Sequence, residues 1–503
     1  MAPRTPRQLF RDALQVALAT LVLVAALELA ARGLGLGAPE RFELPPKAPN
    51  EFRILAVGES TMLGVPEGAY GFITFLQHEL PRLAPGRAVR IHNLARSGEG
   101  SAYVRDVLEQ TLGADVDLAI VMVGHNEFLV ADRTRGWRGA LLRLRERSRL
   151  ATWLARATGR DGAHAVEAAL PDSIEPVWPD SDFERRVLDG FGRNLDAIAA
   201  LAGERRVPLI LCTAPSNLAD WPPGDERVAR PDAAAHSELV SSVRSLLDAG
   251  RSEEALAATR ARAGDDAMLL YLEARALRAL GRPAESRPSF ERARDLDLVP
   301  RRATTRMNDV VRAASRAPGV RLVDAAALFE ANARDGLVGF ELVCDNCHPT
   351  PRGHALIAHA IAAALAADGR LLARGSELGT VADWLARLDR RLGDPATRER
   401  VHARWLLSNA LYAMKTPFFN FDASRRYLDE VRRIAPGDWR VWGNLATLSL
   451  LEGDLERGRR QLGLATRLHG APLDPNERGS LPYLAEALSR SGVSLPDPAA
   501  GGS

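Results

Sequence analysis

The chain has 503 residues, enough for two or three domains, and its apolar share of 46% supplies real cores. Basic and acidic side chains nearly cancel, 66 Lys and Arg against 64 Asp and Glu, and no dense basic block is interleaved with aromatics, which argues against nucleic acid as a partner. Lys47 and Lys415 are the only lysines, and the cysteines, Cys212, Cys344 and Cys347, are too few for a disulfide scaffold.

Residues 1–12 are basic on balance, with Arg4, Arg7 and Arg11 against Asp12. They lead into an apolar run from Ala13 to Ala31, broken only by Gln15, Thr20 and Glu28. The run is just long enough to span a bilayer. A cleaved signal peptide is a competing reading, but no convincing Ala-x-Ala site follows. A buried soluble helix is the third, kept open by Glu28. The favoured expectation is an uncleaved anchor over 1–34. Charge ahead of the run should hold the amino terminus in the cytoplasm and send the rest across, to the periplasmic side of a bacterial inner membrane. Residues 35–50, rich in Gly and Pro, read as a linker.

From Phe52 strand-like and helix-like segments alternate. Apolar runs at 53–57, 89–94, 117–123, 207–213 and 320–323 predict five strands, with helical stretches such as 71–83 and 183–202 between them. That alternation predicts an α/β fold whose parallel sheet is covered on both faces. The gap before the fifth run is too long for a normal crossover and predicts an insertion over 231–299. Within it Gly250 and Gly281 mark turns close to one tetratricopeptide repeat apart. After residue 372 the chain is helical again, and over 380–490 Trp442, Leu445, Ala446, Gly453, Leu462 and Ala465 follow that spacing better. A generic array of α-hairpins, its apolar positions serving only as core, is the competing reading. The end of the chain, from Pro496, reads as a polar tail.

Four short stretches lie in order along the predicted sheet: Gly58-Glu59-Ser60, then Asn93 to Gly100, then Gly124-His125-Asn126-Glu127, then Asp345-Asn346-Cys347-His348. Together they hold the parts of an acyl-transfer site. Ser60 is a poor nucleophile until a base takes its proton. His348 is the candidate base, because an imidazole titrates near neutral pH. Asp345, three residues earlier, would accept from the other ring nitrogen and fix the tautomer. An oxyanion hole needs aimed donors. Gly98 lets a backbone N–H come close, the Asn126 amide can donate, and the Ser60 N–H completes the set. Each residue also has a plainer reading: Ser60 as a helix cap, Gly98 as a turn, Asn126 as a loop brace, Asp345 as an Asx turn.

These stretches resemble blocks I, II, III and V of the SGNH (GDSL-type) hydrolase superfamily, over roughly residues 50–225 and 300–372. The resemblance implies a three-layer α/β/α sandwich with a five-stranded parallel sheet, divided here into 51–230 and 300–372. It implies Ser60 as nucleophile, Gly98 and Asn126 as oxyanion donors, and Asp345 and His348 as the rest of the triad. The layout is similar to a bacterial subgroup that joins this domain to a membrane anchor and tetratricopeptide units. Two departures stand out. Glu59 replaces the usual Asp before the serine, and Glu127 the usual Asp of the third block, each longer by a methylene.

The remaining candidates carry less. His125 adjoins Asn126 and is placed in contact with substrate. Ser216, Asn217 and Trp221 follow the fourth strand and would line the pocket, Asn217 foremost, against the alternative of a rigid Pro-rich loop. His354 and His359 read as packing or surface residues, and Cys212 as core. A metal bound by Cys344, Cys347 and His348 is poorly supported by one Cys-x-x-Cys, so neither metal nor cofactor is expected. In an oxidising compartment a Cys344–Cys347 disulfide would lock the loop of base and orienter; two reduced thiols are the alternative. The expected function is a membrane-anchored serine esterase acting on an O-acyl ester of a glycan or lipid. An O-acyltransferase, or a scaffold whose helical repeats bind a protein partner beside an idle hydrolase domain, are the alternatives.

Overall fold

The computed structural model describes residues 6–38, 40–113, 115–133, 135, 148–158, 176–224, 233–262, 264–415, 420–477 and 479–496. Arg4 and the tail beyond Pro496 lie outside them, as do the side chains of Arg7 and Arg11. The chain divides into two compact units, one of 1–44 with 129–174, the other of 45–128 with 175–503.

The first unit contains a helix over Pro6–Gly33. Its segment Leu14–Gly33 is long and apolar enough to cross a membrane, with mean hydropathy 2.1. Leu14, Leu18, Leu21, Leu23 and Leu29 are exposed, so the helix does not pack as a core helix would. Glu28 breaks the apolar run for a local reason. Its carboxylate accepts from the Ser148 hydroxyl and the Arg149 and Leu150 N–H groups, capping the helix Arg149–Ala157.

The second unit is built on a five-stranded sheet of order β2-β1-β3-β4-β5, with every neighbouring pair parallel. The strands are β1 Glu51–Gly58, β2 Ala88–Asn93, β3 Leu118–Met122, β4 Leu209–Cys212 and β5 Val320–Val323. All five expected runs are strands, and the expected helices lie at Phe72–Leu83 and Asp182–Arg205. β1 is buried along its whole length, as a central strand covered on both faces must be. Its one basic residue, Arg53, is buried because it pairs with Glu51 at 2.7 Å and Asp115 at 2.5 Å. Strand order turns around β1, so the carboxyl ends of β1, β2 and β3 open onto one edge where ligands bind in such sheets.

Between β4 and β5 lie the helices Ala233–Asp248, Ser252–Arg260, Ala267–Ala279 and Pro283–Asp295. Gly250 and Gly281 sit in the turns, with φ of +73° and +72°, a conformation that favours glycine. The turns bond alike: Arg251 N–H reaches Leu246 O at 2.8 Å, and Arg282 N–H reaches Leu277 O at 2.9 Å. Gly453 makes the same turn later, where Asp454 N–H reaches Ser449 O at 2.9 Å. These helices share one continuous apolar core with the sheet, which takes in Ile54, Ile120, Leu272, Trp384, Leu406 and Leu445.

The end of β1 leaves little room. A Cβ at Gly58 would stand 2.3 Å from the Met122 carbonyl oxygen of paired β3. Gly58→Ala should therefore destabilise the fold by about 1–3 kcal/mol through forced backbone shifts. Urea unfolding measures it, and an unchanged midpoint would show that the strands separate freely there.

Candidate active site

Ser60 opens a one-turn helix, Ser60–Leu63, directly after β1. The turn closes at Gly64, in the left-handed region at φ +90°, whose N–H returns to the Ser60 carbonyl. The Ser60 side chain does not cap this helix; its Oγ lies 2.7 Å from His348 Nε2. His348 Nδ1 in turn lies 2.6 Å from Asp345 Oδ2. The three side chains named for a triad are thus brought into one hydrogen-bonded line across 288 residues of sequence.

Asp345 fills both roles that its spacing allowed. Its Oδ1 accepts from the N–H groups of Cys347 at 2.8 Å and His348 at 2.7 Å, forming the turn, while Oδ2 holds the ring. The turn closes a narrow antiparallel bridge, Val343 to Pro349, with Cys344 N–H on His348 O at 2.8 Å. All three residues are buried, Ser60 at 5% exposure, His348 at 4% and Asp345 at 2%. Burial alone would lower the His348 imidazole, but the Asp345 carboxylate, with Cys347 beyond it, holds it well above the usual histidine value. The pair therefore stabilises the fold fully below the unfolded histidine value, and that contribution is lost as pH rises through the raised folded value.

Glu59 does what the sequence did not disclose. Its carboxylate is buried and accepts from three successive backbone N–H groups, Gly124 at 2.9 Å, His125 at 3.1 Å and Asn126 at 3.3 Å. The residue before the serine thereby fixes the loop that carries Asn126. Burial, and the nearby Glu127 charge, push Glu59 up to about 8 against the pull of those donors. Glu127 reaches the next loop, accepting from Ser101 N–H at 2.6 Å and Ser101 Oγ at 2.9 Å. It caps the helix Ser101–Thr111, and Gly100 leaves it room, since a Cβ there would meet its Oε1 at 3.0 Å. Asn126 completes the link by donating from Nδ2 to Glu99 O at 3.0 Å. A primary amide has a second hydrogen for an oxyanion. Gly98 sits in the same loop at φ +75°.

His125 is buried beside these groups. Its Nδ1 accepts from Ala303 N–H at 3.0 Å, which leaves the proton on Nε2. That Nε2 is buried without a hydrogen-bond partner among the described residues. Burial and the neighbouring His348 charge push the ring down to about 3, so it is a neutral donor.

Asn217 is placed otherwise than expected. It is fully buried, with Nδ2 on Val343 O at 3.1 Å and Oδ1 on Asp220 N–H at 2.9 Å, while its own N–H binds Asn346 O at 3.0 Å. Its side chain braces the Asp345–His348 loop and offers no exposed face to a substrate. Ser216 and Trp221 are buried in the same loop, the plainer of the two readings. His354 packs, its Nδ1 accepting from Phe72 N–H at 3.2 Å, and His359 bonds Gly379 O at 2.8 Å. Cys212 is core.

Cys344 and Cys347 are free thiols. Of the two states the sequence left open, the structure has the reduced one, and the thiols point apart: Cys344 Sγ lies 3.1 Å from His348 O, whereas Cys347 Sγ faces the His348 ring at 3.9 Å. Asp345, Cys347 and His348 do bring ligand atoms within 4.8 Å of one another. Both His348 nitrogens already have partners, however, and burial pushes the Cys347 thiol up to about 11, away from the thiolate a metal needs.

Residues far along the chain finish the site. Tyr427, on the helix Phe421–Ile434, donates its hydroxyl to Cys344 O, next to Asp345. Tyr412, on the helix Pro395–Met414, sets its ring edge-on to His348 at 5.7 Å and 81°. No local sequence pattern marks either; each is a tyrosine within a helix, indistinguishable from core until the helices dock.

No protein-family model matches the chain, and no curated protein matches it. Among solved structures it is similar to an acetylxylan esterase from Geobacillus stearothermophilus in catalytic-mutant form, at 13% identity and TM-score 0.32, over 65% of this chain and 96% of that one. It is also similar to a GDSL-like lipase described as putative, from Parabacteroides merdae, at 13% identity and TM-score 0.29, over 64% and 96%. At such scores the functional reading rests on the geometry around Ser60.

Tyr427→Phe removes one buried hydrogen bond and leaves the Cys344 carbonyl unpaired. A loss on the order of 1–3 kcal/mol is expected in thermal or urea unfolding. A change near zero would show that the carbonyl finds another donor.

Proposed function

We propose that this chain is a membrane-anchored serine esterase of the SGNH type. The observation that carries the reading is the line Ser60 Oγ, His348 Nε2, His348 Nδ1, Asp345 Oδ2, with steps of 2.7 and 2.6 Å. In the first half-reaction Ser60 Oγ attacks the acyl carbonyl carbon while its proton passes to His348 Nε2. Asp345 stabilises the imidazolium. The tetrahedral oxyanion is met by the N–H groups of Ser60 and Gly98 and the amide of Asn126. As it collapses, the C–O bond to the alcohol breaks and the leaving oxygen takes the proton from Nε2. A water then repeats the attack on acyl-Ser60, delivering its proton to His348, and the acid and free serine are released.

A second reading has an observation of its own. Ser60 is 95% buried and Tyr412 flanks its base, and a sheltered acyl-enzyme favours a bound alcohol over bulk water. With a sugar hydroxyl in place of water the same steps make an O-acyltransferase. The intact line from Ser60 to Asp345 speaks against an idle domain. The substrate class we favour is an O-acyl ester on a glycan or lipid, reached by an enzyme anchored through Leu14–Gly33 with its catalytic unit outside the cytoplasm. The repeated turns at Gly250, Gly281 and Gly453 support tetratricopeptide-like units over 231–299 and 380–490, a surface on which a protein partner would dock.

A fluorophosphonate probe should label the purified chain at Ser60. Ser60→Ala should abolish labelling, and His348→Ala should lower aryl acetate turnover by at least about a thousandfold. Labelling that survives Ser60→Ala would sink the assignment. Product analysis with and without a sugar acceptor separates hydrolase from transferase.

The rate should also follow the base. His348 must be neutral to accept a proton, so activity should rise with pH through a value above that of ordinary histidine. Asp345→Asn removes the charge that raises it. The limb should then move to lower pH while kcat falls by about 10⁴. An unmoved limb would mean that another group titrates.

A further inference from the structure

A cavity of about 830 Å³ opens between the helices Ala233–Asp248 and Ala267–Ala279 on one side and Phe421–Ile434 on the other. Its size falls in the range of ligand sites, ~300–1,000 Å³. No triad residue lines it. Between it and His348 stands an aromatic layer, in which Phe340 meets Trp221 at 6.5 Å, Trp221 meets Tyr412 at 6.5 Å, and Tyr412 meets His348 at 5.7 Å.

The helix Ala267–Ala279 turns Met268, Tyr271, Arg275 and Arg278 into the cavity, a stripe at helical spacing. A stripe that faced only core would be apolar throughout; this one becomes cationic over its last turn. Arg278 is matched by Asp220 at 2.8 Å. Half-buried Arg275 has no carboxylate partner among the described residues. From the opposite wall Arg426 lies over the Phe340 ring at 4.7 Å and the Tyr427 ring at 5.9 Å, again without a carboxylate. The acidic residues of the lining do not cancel these two. Glu452 is held by Arg425 and Asp220 by Arg278, and the exposed lining residues Asp248 and Asp422 form no ion pair with Arg275 or Arg426 among the described residues.

We propose that this cavity is a second binding site, for a ligand bearing a carboxylate or phosphate oxyanion clamped between Arg275 and Arg426. A guanidinium presents a planar fork that matches two oxygens of either group, and in a concave site its field is focused rather than screened. Arg426, held 4.7 Å over the Phe340 ring, lines the cavity beside it. Tyr271 keeps its hydroxyl on Ala219 O at 3.2 Å, so its ring is fixed as an apolar wall for the rest of the ligand. Asp220 ties the site to the catalytic loop, with Oδ1 on Arg278 and Oδ2 accepting from Phe340 N–H at 2.9 Å. The proposal does not rest on the esterase reading.

The test is calorimetric titration of the full chain in detergent, carrying Ser60→Ala so that no turnover intervenes. A short oligohexuronate supplies carboxylates and inorganic phosphate supplies the other oxyanion. Saturable binding of either is expected, weakened about tenfold or more by Arg275→Gln and by Arg426→Gln. Arg460→Gln, an exposed arginine that does not line the cavity, should leave it unchanged. Binding of the oligohexuronate alone assigns an acidic sugar, and of phosphate alone a phosphate ester. Absence of saturable binding by both probes, or equal weakening by Arg460→Gln, would overturn the proposal. Should Arg275→Gln fail to fold, Arg426→Gln, at the exposed wall, still decides it.

Discussion

The site depends on one carboxylate doing two things at once. Asp345 holds its own turn through the N–H groups of Cys347 and His348, and with its other oxygen it holds the His348 ring. A base oriented by a group that is itself free to rotate would lose much of its preorganisation. Here the orienter cannot turn away without giving up two backbone hydrogen bonds. The ring is consequently aimed at Ser60 before any substrate arrives.

The oxyanion side is organised by a similar economy, with Glu59 at its centre. It gathers the N–H groups of three consecutive residues, and such a run of donors is what a short buried acceptor chain can satisfy without a helix. Glu127 extends the chain of support to Ser101, and Asn194 Nδ2 donates to that same hydroxyl at 2.9 Å. The extra methylene in each glutamate is therefore not a loosened aspartate. Both carboxylates reach backbone partners on a neighbouring loop, and both are raised by burial, Glu59 also by the nearby Glu127 charge.

Much of this was legible in the sequence, and the boundary is physical. The five strands were readable because each is a short apolar run of strand length, and Gly250 and Gly281 because their turns require a left-handed residue. That Ser60, Asp345 and His348 would come together was readable from the order of their stretches, and the fold brings them within 2.7 and 2.6 Å of one another in line. Asn217, whose side chain in the structure bonds Val343 O and Asp220 N–H, was left between substrate contact and loop brace because a polar residue after a strand looks the same in either place. Only burial separates the two, and burial is a property of the fold. The state of Cys344 and Cys347 was left open for a like reason, since spacing alone does not say which way two thiols point.

Tyr412 and Tyr427 show why the loop that carries Asp345 and His348 need not be completed by its own sequence neighbourhood. The loop 343–349 is held from one side by Asn217, after β4, and from the other by Tyr427, more than eighty residues on. Around Tyr427 the aromatic contacts continue: Phe340 stands 6.0 Å away at 81° and Trp405 6.0 Å away at 84°. Trp405 then meets Tyr70, which follows the Ser60 turn, at 6.5 Å. Edge-to-face rings of this kind resist sliding, because displacement loses both contact area and quadrupole alignment. The helices after residue 380 thus touch both the segment that follows Ser60 and the His348 ring. They pack as one wall beside the Ser60–His348–Asp345 line, through Tyr412 on His348, Tyr427 on the Cys344 carbonyl and Trp405 on Tyr70.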